Sequence, residues 1–407
     1  MESLIARTII LLAVAMVVAI LARRLKLPYT VGLVLTGLAL ALARVDFGVE
    51  LTHDVIFDVI LPPLLFEAAL NLPWAELRRD LPPLLLISCL GVVLCAGAVT
   101  LGLVYGLNWP VLPALAFGAL IAATDPIAVI ALLRETGVKG RLALLIETES
   151  LANDGTAALL FALVAAALAG NEQVTPFAIA SGFVVVAIGG VVCGMACGGA
   201  AILLAGRTDD HLVETALTAI AAYGSFLIAE HLGASGVLAT VAAGMTMGNL
   251  GVLAERRNGL GLSARGRRFV VAFWEFAAFV ANSFVFLMIG LSLAKVHAHS
   301  ALALAAEIAL ALAGRALAIY PLCVPFALSR WRIPLRQQHF LWWAGLRGAL
   351  ALALALSLPE ATPYRDEILV GAFGVVAFSS LVQGLTAGLA LRALGLDRNE
   401  DEAEQVL

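Results

Sequence analysis

Long apolar runs are the feature that most limits what this chain can fold into. Charges, Pro-Gly clusters and polar stretches divide its 407 residues into thirteen such segments. A helix that crosses a bilayer needs about 20 mostly apolar residues, within a range of about 17 to 25. The pattern therefore predicts an all-α polytopic membrane protein with one transmembrane helix for each segment. The segments cover residues 4–22, 28–44, 54–71, 82–107, 111–133, 142–169, 176–205, 211–232, 235–250, 269–293, 300–328, 338–358 and 367–394.

The scarcity of charge supports the same class. Asp, Glu, Lys and Arg make up 13% of the chain, whereas soluble domains carry about 25%. Membrane lipid is thus an expected partner, and the net charge of -4 argues against nucleic acid, which requires a basic surface. We expect a transporter domain over residues 1–396 and a short acidic cytoplasmic tail over 397–407. The sequence contains no GxxxxGK[ST] motif, so we expect no nucleotide partner.

The basic residues predict how the chain is oriented. Cytoplasmic loops carry an excess of Lys and Arg, and loops after odd-numbered segments, counted together with the C-terminal end of segment 13, hold 19 of the 25 basic residues. Loops on the opposite side, together with the N-terminal segment, hold 4, and the last two lie within apolar segments. This asymmetry supports thirteen spans, with the N-terminus outside and the C-terminus in the cytoplasm. We expect a multi-pass protein of the cell (inner) membrane.

Ionisable residues inside the apolar segments are the candidates for function. A charge at the centre of a bilayer costs at least about 2.5 to 3.5 kcal/mol, so such residues are rarely there without a role. Four of them lie in two dense polar neighbourhoods, one in segment 5 and one in segment 6. The candidates are Glu67, Asp125, Glu147, Glu149, Asp154, Glu275, Glu307, Arg315 and Arg347.

The first neighbourhood is Thr124-Asp125-Pro126 in segment 5. Proline lacks an N–H and clashes with the carbonyl four residues earlier, here that of Ala122, so we expect the helix to break. Freed carbonyls are tolerated in a membrane only where they line a cavity or are buried in protein. About ten apolar residues on each side place this break near mid-membrane, where the carboxylate, hydroxyl and carbonyls form an oxygen-rich pocket for a small cation.

The second neighbourhood runs from Glu147 to Thr156 in segment 6. Residues three and four apart share a helix face, so Glu147, Ser150 and Asp154 form one polar stripe. Glu149 and Asn153 form a neighbouring stripe by the same rule. Glu147 is equally well explained as a cytoplasmic helix end, whereas Asp154 lies one and a half to two turns deeper in the apolar segment.

Two arginines indicate further buried contacts. A guanidinium remains charged at physiological pH, so Arg315 in segment 11 and Arg347 in segment 12 both need carboxylate partners. Gly345 and Gly348 flank Arg347 and can loosen its helix, which makes segment 12 a second discontinuous helix. Segments 5 and 12 cross in opposite directions, and paired broken helices within inverted repeats are typical of secondary transporters. Segments 1 to 6 and 8 to 13 are the predicted repeats.

These motifs resemble those of monovalent cation/proton antiporters of the NhaP and sodium/hydrogen-exchanger type. The matching stretches follow in order from about residue 28 to 358, and a third-helix motif that contains Glu67 belongs to them. Any one motif is weak evidence, but all four in the same order are specific. They are Leu61-Pro62-Pro63-Leu64-Leu65-Phe66-Glu67, Thr124-Asp125-Pro126, Glu149-Ser150-Leu151-Ala152-Asn153-Asp154-Gly155-Thr156 and Gly345-Leu346-Arg347-Gly348-Ala349-Leu350-Ala351.

The resemblance implies a homodimer whose protomers each combine interface helices with a mobile six-helix core, and transport by alternating access. It implies that Asp125 and Asp154 bind cation or proton in turn, with oxygens from Thr124 and Ser150. Glu149 would form a buried ion pair with Arg315, and Asn153 would support the site. Asn153-Asp154, where some relatives have Asp-Asp, resembles the electroneutral branch. No cofactor is implied.

The predicted function is therefore exchange of sodium or lithium for protons, and the protein is not expected to be an enzyme. A potassium/proton antiporter on the same scaffold is the alternative, because residue identities alone do not separate these cations. An intramembrane enzyme is less favoured because HExxH, GxSxG and clustered His or Cys are absent from the sequence. A channel is less favoured because there is no repeated pore motif.

Overall fold

The computed structural model describes residues 2–25, 28–44, 52–138, 140–168, 176–253, 261–293 and 301–397. The described part of the chain is helical, without strands. The acidic tail predicted over residues 397–407 lies outside the described residues except for Asp397. The α-helices are α1 (Glu2–Leu25), α2 (Tyr29–Leu42), α3 (Leu61–Leu70), α4 (Trp74–Leu77), α5 (Leu81–Leu85), α6 (Gly91–Leu107), α7 (Val111–Ala122), α8 (Ile127–Thr136), α9 (Arg141–Leu168), α10 (Pro176–Ala205), α11 (His211–His231), α12 (Gly236–Met247), α13 (Ala264–Leu293), α14 (Ala301–Cys323), α15 (Leu335–Trp343), α16 (Ala349–Leu356), α17 (Arg365–Phe378) and α18 (Gly384–Ala393).

Several of these helices are continuous with turns of other helical types. π-helical turns of five or six residues precede α3, join α5 to α6, follow α12, and join α17 to α18. A short 3₁₀ turn follows α14. Such π-helical turns are rare and are often found at functional sites. The turn over Ser379–Gln383 is the one that contributes to the site described below.

The helices agree with the predicted class of membrane protein. Among the described residues, eight helical stretches are long and apolar enough to cross a bilayer, and three shorter apolar helices correspond to predicted segments 1, 2 and 9. Segment 3 is the π-helical turn followed by α3, and segment 12 is divided into the nine-residue α15 and the eight-residue α16. The protein is thus a multi-pass membrane protein, while the exact number of crossings stays a prediction.

The chain forms two compact units. The first contains residues 1–53, 82–157 and 283–407, and the second contains residues 54–81 and 158–282. In the first unit α6 packs on α7 and α14, and α16 packs on α7 and α17. In the second unit α10 and α11 pack on each other and on α12, which also contacts α3.

Aromatic and small residues organise the second unit. Trp274 is buried against Phe66, with ring centroids 4.6 Å apart, and its indole N–H donates to the Thr218 hydroxyl at 2.9 Å. The interior of the second unit therefore provides an acceptor for the indole N–H of Trp274, as buried tryptophans require.

Gly190, Gly194 and Gly198, spaced four residues apart on α10, pack closely against α12. A Cβ atom built at Gly194 would lie 2.0 Å from the Ala239 carbonyl oxygen of α12. Atoms built at the other two would lie 2.5 Å from the carbonyl oxygen of Ser235, the residue before α12, and 2.9 Å from that of Ala243. Small residues at such spacing let membrane helices approach each other closely. The three glycines thus set the distance between α10 and α12.

Gly194→Ala is expected to destabilise the protein by about 1 to 3 kcal/mol, because overpacking forces backbone shifts. Gly199 of the same helix is a matched control, since a Cβ atom there would meet nothing within 4 Å. Thermal melting of the two purified variants in one detergent provides the comparison. Equal melting temperatures for Gly194→Ala and Gly199→Ala would contradict the assigned packing.

Candidate functional site

The site is built where two helices are interrupted. The helix of segment 5 stops at Ala122 and resumes at Ile127, which confirms the break that Pro126 predicts. The helix of segment 12 stops at Trp343 and resumes at Ala349. The two interruptions lie against each other, since the backbone N–H of Asp125 donates to the Leu346 carbonyl at 2.7 Å.

The side chain of Arg347 lies at the C-terminal end of α7. Its guanidinium donates to the carbonyls of Ala122 at 2.7 Å and Ala123 at 3.0 Å. The last carbonyls of a helix have no partner within it and carry partial negative charge, so a cation is favoured there. The carbonyl that Pro126 was predicted to free is thus the one that Arg347 binds.

The prediction that Arg347 has a carboxylate partner is wrong. Within the described residues no carboxylate oxygen lies within 4.0 Å of its guanidinium, which is buried with 3% of the residue exposed. Helix-end carbonyls replace the carboxylate as acceptors. Sequence reasoning missed this because a backbone carbonyl has no residue identity.

Gly345 and Gly348 allow close approach of charged side chains. A Cβ atom at Gly348 would lie 2.1 Å from the Asp125 Oδ2 atom, and one at Gly345 would lie 2.5 Å from the Arg315 Nε atom. We interpreted both glycines from sequence as residues that loosen the helix. Their contacts show an additional reason for glycine at these positions. The side chains of Asp125 and Arg315 lie against the backbone of the interruption, where a Cβ atom would clash with them.

Glu149 and Arg315 form a buried, bidentate ion pair. The Arg315 Nη1 and Nη2 atoms donate to the two carboxylate oxygens of Glu149 at 2.7 and 2.9 Å. Nη2 also donates to the Leu341 carbonyl of α15 at 3.2 Å. The residues are 3% and 4% exposed, so each charge depends on the other. The pair joins α9 to α14 beside the interrupted helices.

Polar side chains of α9 contact the α7–α8 interruption. Ser150 donates through its hydroxyl to the Thr124 carbonyl, and the two hydroxyls lie 3.4 Å apart. Asn153 donates to the Glu149 carboxylate at 3.2 Å and to the Thr124 hydroxyl at 3.4 Å. The structure thus brings together Thr124, Glu149, Ser150 and Asn153.

The two aspartates differ in their surroundings. Asp125 accepts the N–H of Ile127 at 3.0 Å and so caps the start of α8. Asp154 has an Oδ1 atom that is buried and accepts no hydrogen bond from any described residue. A buried carboxylate oxygen without a partner is costly, and a proton or a cation would supply one.

A small cavity with about 10 Å³ of water-accessible space opens beside these groups. It is lined by oxygen-bearing side chains and by the two interruptions, and Asp154 is not among its lining residues. The described part of the chain holds no cluster of three or more His, Cys, Asp or Glu suited to a metal cofactor. The lining residues are Thr124, Asp125, Pro126, Ile146, Glu149, Ser150, Arg315, Leu341, Ala344 and Gly345.

Sequence reasoning missed two residues that hold the α15–α16 interruption. The Ser379 hydroxyl accepts the backbone N–H of Arg347 at 2.7 Å, and the Gln383 amide donates to the Trp343 carbonyl at 3.0 Å. Both belong to the π-helical turn between α17 and α18. Their polarity within an apolar segment was the available signal.

Three other acidic residues predicted from sequence have different surroundings. Glu67 belongs to the second unit, where the amide of Asn71 donates to its carboxylate at 3.2 Å. Glu275 is exposed. Glu307 is buried in the first unit, where a Cβ atom at Gly371 would lie 2.7 Å from its Oε2 atom. The supporting role predicted for Glu67 stays a prediction.

Arg315→Ala is expected to cost about 3 to 5 kcal/mol of stability, because it leaves the Glu149 charge buried without a partner. The double change Glu149→Gln with Arg315→Met removes both charges and is expected to cost less than the single change. Melting temperatures of the purified variants test the order. An Arg315→Ala protein as stable as the unmodified one would contradict a structural role for the pair.

Comparisons with known proteins agree with the resemblance seen in the sequence motifs. The family described as "Sodium/hydrogen exchanger, transmembrane" matches residues 10–393. The "Na(+)/H(+) antiporter ApNhaP" of Aphanothece halophytica is 40% identical over 376 residues, which are 91% of this chain and 70% of that protein. The "Low-affinity Na(+)/H(+) antiporter NhaS1" of Synechocystis is 39% identical over 95% of this chain and 74% of its own length.

A solved structure has the same fold. The sodium proton antiporter MjNhaP1 from Methanocaldococcus jannaschii superposes with a TM-score of 0.75 over 96% of this chain and 99% of that chain. Its sequence identity is 18%, so this likeness concerns the fold alone. The family match and the sequence relatives carry the assignment: the chain belongs to the sodium/hydrogen exchanger family.

Proposed function

We propose that the protein is a secondary antiporter that exchanges sodium for protons at the crossing of the two interrupted helices. The observation that carries the proposal is the buried Asp154 Oδ1 atom without a hydrogen-bond partner, next to a crossing rich in carbonyl and hydroxyl oxygens. Small hard cations prefer oxygen ligands, and a carboxylate accepts a proton at the same atom. The names of the sequence relatives favour sodium over potassium.

Asp125 and Asp154 are the proposed binding carboxylates. Thr124 and Ser150 offer hydroxyl and carbonyl oxygens on the same side of the crossing. A cation leaving water for this pocket must exchange its hydration shell for such oxygens, and those that the helix breaks expose are already oriented. Sodium and a proton then compete, because either one neutralises the same carboxylate.

The other charged residues of the crossing act as supports in this proposal. Glu149 and Arg315 neutralise each other, so neither is available to sodium while the pair is intact. Asn153 links the pair to Thr124. An asparagine at this position adds no ionisable group, which supports an exchange of one sodium for one proton.

In alternating access, the cost of charge in a bilayer couples the movement of sodium to that of protons. The empty site carries uncompensated carboxylate charge, so its passage across the membrane is disfavoured. A site loaded with a proton or with sodium moves more readily. Exchange then arises because the site changes sides when it carries either a proton or a sodium ion.

We further propose a homodimer in the inner membrane, with the N-terminus outside and the C-terminus in the cytoplasm. The distribution of basic residues supports the orientation, and the family resemblance supports the dimer. Crosslinking in native membranes tests the dimer. Labelling of introduced cysteines from each side tests the orientation.

Proteoliposomes with a trapped pH dye are expected to lose an imposed pH gradient on addition of sodium. Lithium and potassium, each compared with sodium at several pH values, show which cations the site accepts. Empty liposomes are the control for leakage. A gradient that only potassium dissipates would favour the potassium/proton alternative, and no response to any cation would contradict antiport.

Asp154→Asn is expected to abolish exchange while leaving a folded protein, because the amide neither takes up the proton nor balances a cation. Glu275→Gln is the matched control, since Glu275 is an exposed acid of another apolar helix. Dye-monitored exchange and size-exclusion profiles of both variants provide the measurement. Sodium-driven proton movement retained by Asp154→Asn would remove Asp154 from the proposed site.

A further inference from the structure

We infer that Arg347 is a fixed counter-charge for the two aspartates, and that its charge holds the exchange at one sodium per proton. The inference rests on the proposed function and deepens it, since it assigns the coupling ratio to a particular positioning residue. It begins from the observation that the buried Arg347 guanidinium binds carbonyls and has no carboxylate within 4.0 Å among the described residues.

The charge of Arg347 is not cancelled locally. Its hydrogen bonds go to Ala122, Ala123 and, at 4.0 Å, the Cys95 sulfur. Arg347 and Arg315 also line one small cavity, with about 10 Å³ of water-accessible space, whose other lining residues include no acid. These neighbours accept hydrogen bonds but carry no full negative charge, so the charge acts on groups farther away.

Asp154 is one of those groups, and Asp125 is a second acidic residue at the crossing. Asp154 interacts electrostatically with Asp125, Glu149 and Arg347, and Glu149 also interacts with Arg347. Asp125 lies at the same crossing, with its carboxylate against Gly348, the residue that follows Arg347. In a medium of low dielectric constant, charges at one crossing interact more strongly than they would in water.

The formal charges of the cluster fix what it must bind. Glu149 and Arg315 cancel as a pair, and Arg347 balances one of the two aspartates. The helix ends contribute little, because two C-termini and two N-termini meet at the crossing and their partial charges oppose each other. One negative charge remains in the empty site, so one proton or one sodium ion makes the cluster neutral.

This count of formal charges explains how the movement of sodium is coupled to that of protons. Without Arg347 the empty cluster has two negative charges, so a second ion or proton must bind before the site is neutral. With Arg347 present and Asp125 neutralised, the empty cluster is already neutral and can return without a proton. Each single change therefore disturbs exchange, and in opposite directions. Together the two changes restore a single negative charge.

The experiment compares Arg347→Gln, Asp125→Asn and the double variant in sodium-loaded proteoliposomes. Sodium flux is followed with radioactive sodium and proton flux with a pH dye, with the membrane potential clamped by potassium and valinomycin. Arg347→Gln is expected to lower exchange at least tenfold. Asp125→Asn is expected to move sodium without stoichiometric proton flux.

The double variant is the decisive case. The charge count predicts that it exchanges at least tenfold faster than Arg347→Gln and regains a one-to-one ratio that the membrane potential does not alter. If Arg347 only binds the helix-end carbonyls, adding Asp125→Asn cannot replace those bonds. A double variant no faster than Arg347→Gln would overturn the inference.

A structural control is available at the same backbone position. Ser379→Ala removes the acceptor of the Arg347 backbone N–H without changing charge, so it should lower the melting temperature while the sodium-to-proton ratio stays at one. A changed ratio in Ser379→Ala would count against a charge effect. If Arg347→Gln does not fold, the folded yield is compared instead: recovery on adding Asp125→Asn supports the inference, and no recovery overturns it.

The unmodified protein separates this inference from the proposed function. Absence of sodium/proton exchange in the unmodified protein would refute the proposed function itself. Exchange in the unmodified protein, together with a double variant that stays inactive, would refute only the role of Arg347.

Discussion

At the centre of the first unit, two interrupted helices complete each other's hydrogen bonding. The Asp125 N–H is bound by the Leu346 carbonyl, and the carbonyls that α7 leaves open at Ala122 and Ala123 are bound by the Arg347 guanidinium. Water is not available in a bilayer to satisfy these groups, and unsatisfied ones would cost several kcal/mol each. Each interruption is therefore stable because the other is present, and together they allow oxygens to face a cavity at this depth.

Around this crossing, two kinds of contact have separate tasks. The ion pair of Glu149 and Arg315 joins helices that are far apart in sequence, and its charges cancel within the pair. Arg347 instead keeps a charge that its own hydrogen-bond partners do not neutralise. Arg315 thus joins two helices through an ion pair, whereas Arg347 provides a positive charge for the aspartates.

The sequence was sufficient for what depends on residue type and spacing. Apolar runs predicted the helices, Pro126 predicted the break in segment 5, and the need to pair Arg315 predicted a buried carboxylate contact. The prediction for Arg347 was wrong because its acceptors are backbone carbonyls. Ser379 and Gln383 were missed because a π-helical turn, which the sequence does not signal, brings them to the interruption.

Backbone participation at the crossing leaves some side chains free to vary. Leu341 binds Arg315 through its carbonyl, while the same residue also lines the cavity beside Asp125. Replacing its side chain would change the size of the cavity and leave the carbonyl bond in place. Substitutions at such positions can therefore change the size of the proposed cation pocket without removing the bonds that hold the charges.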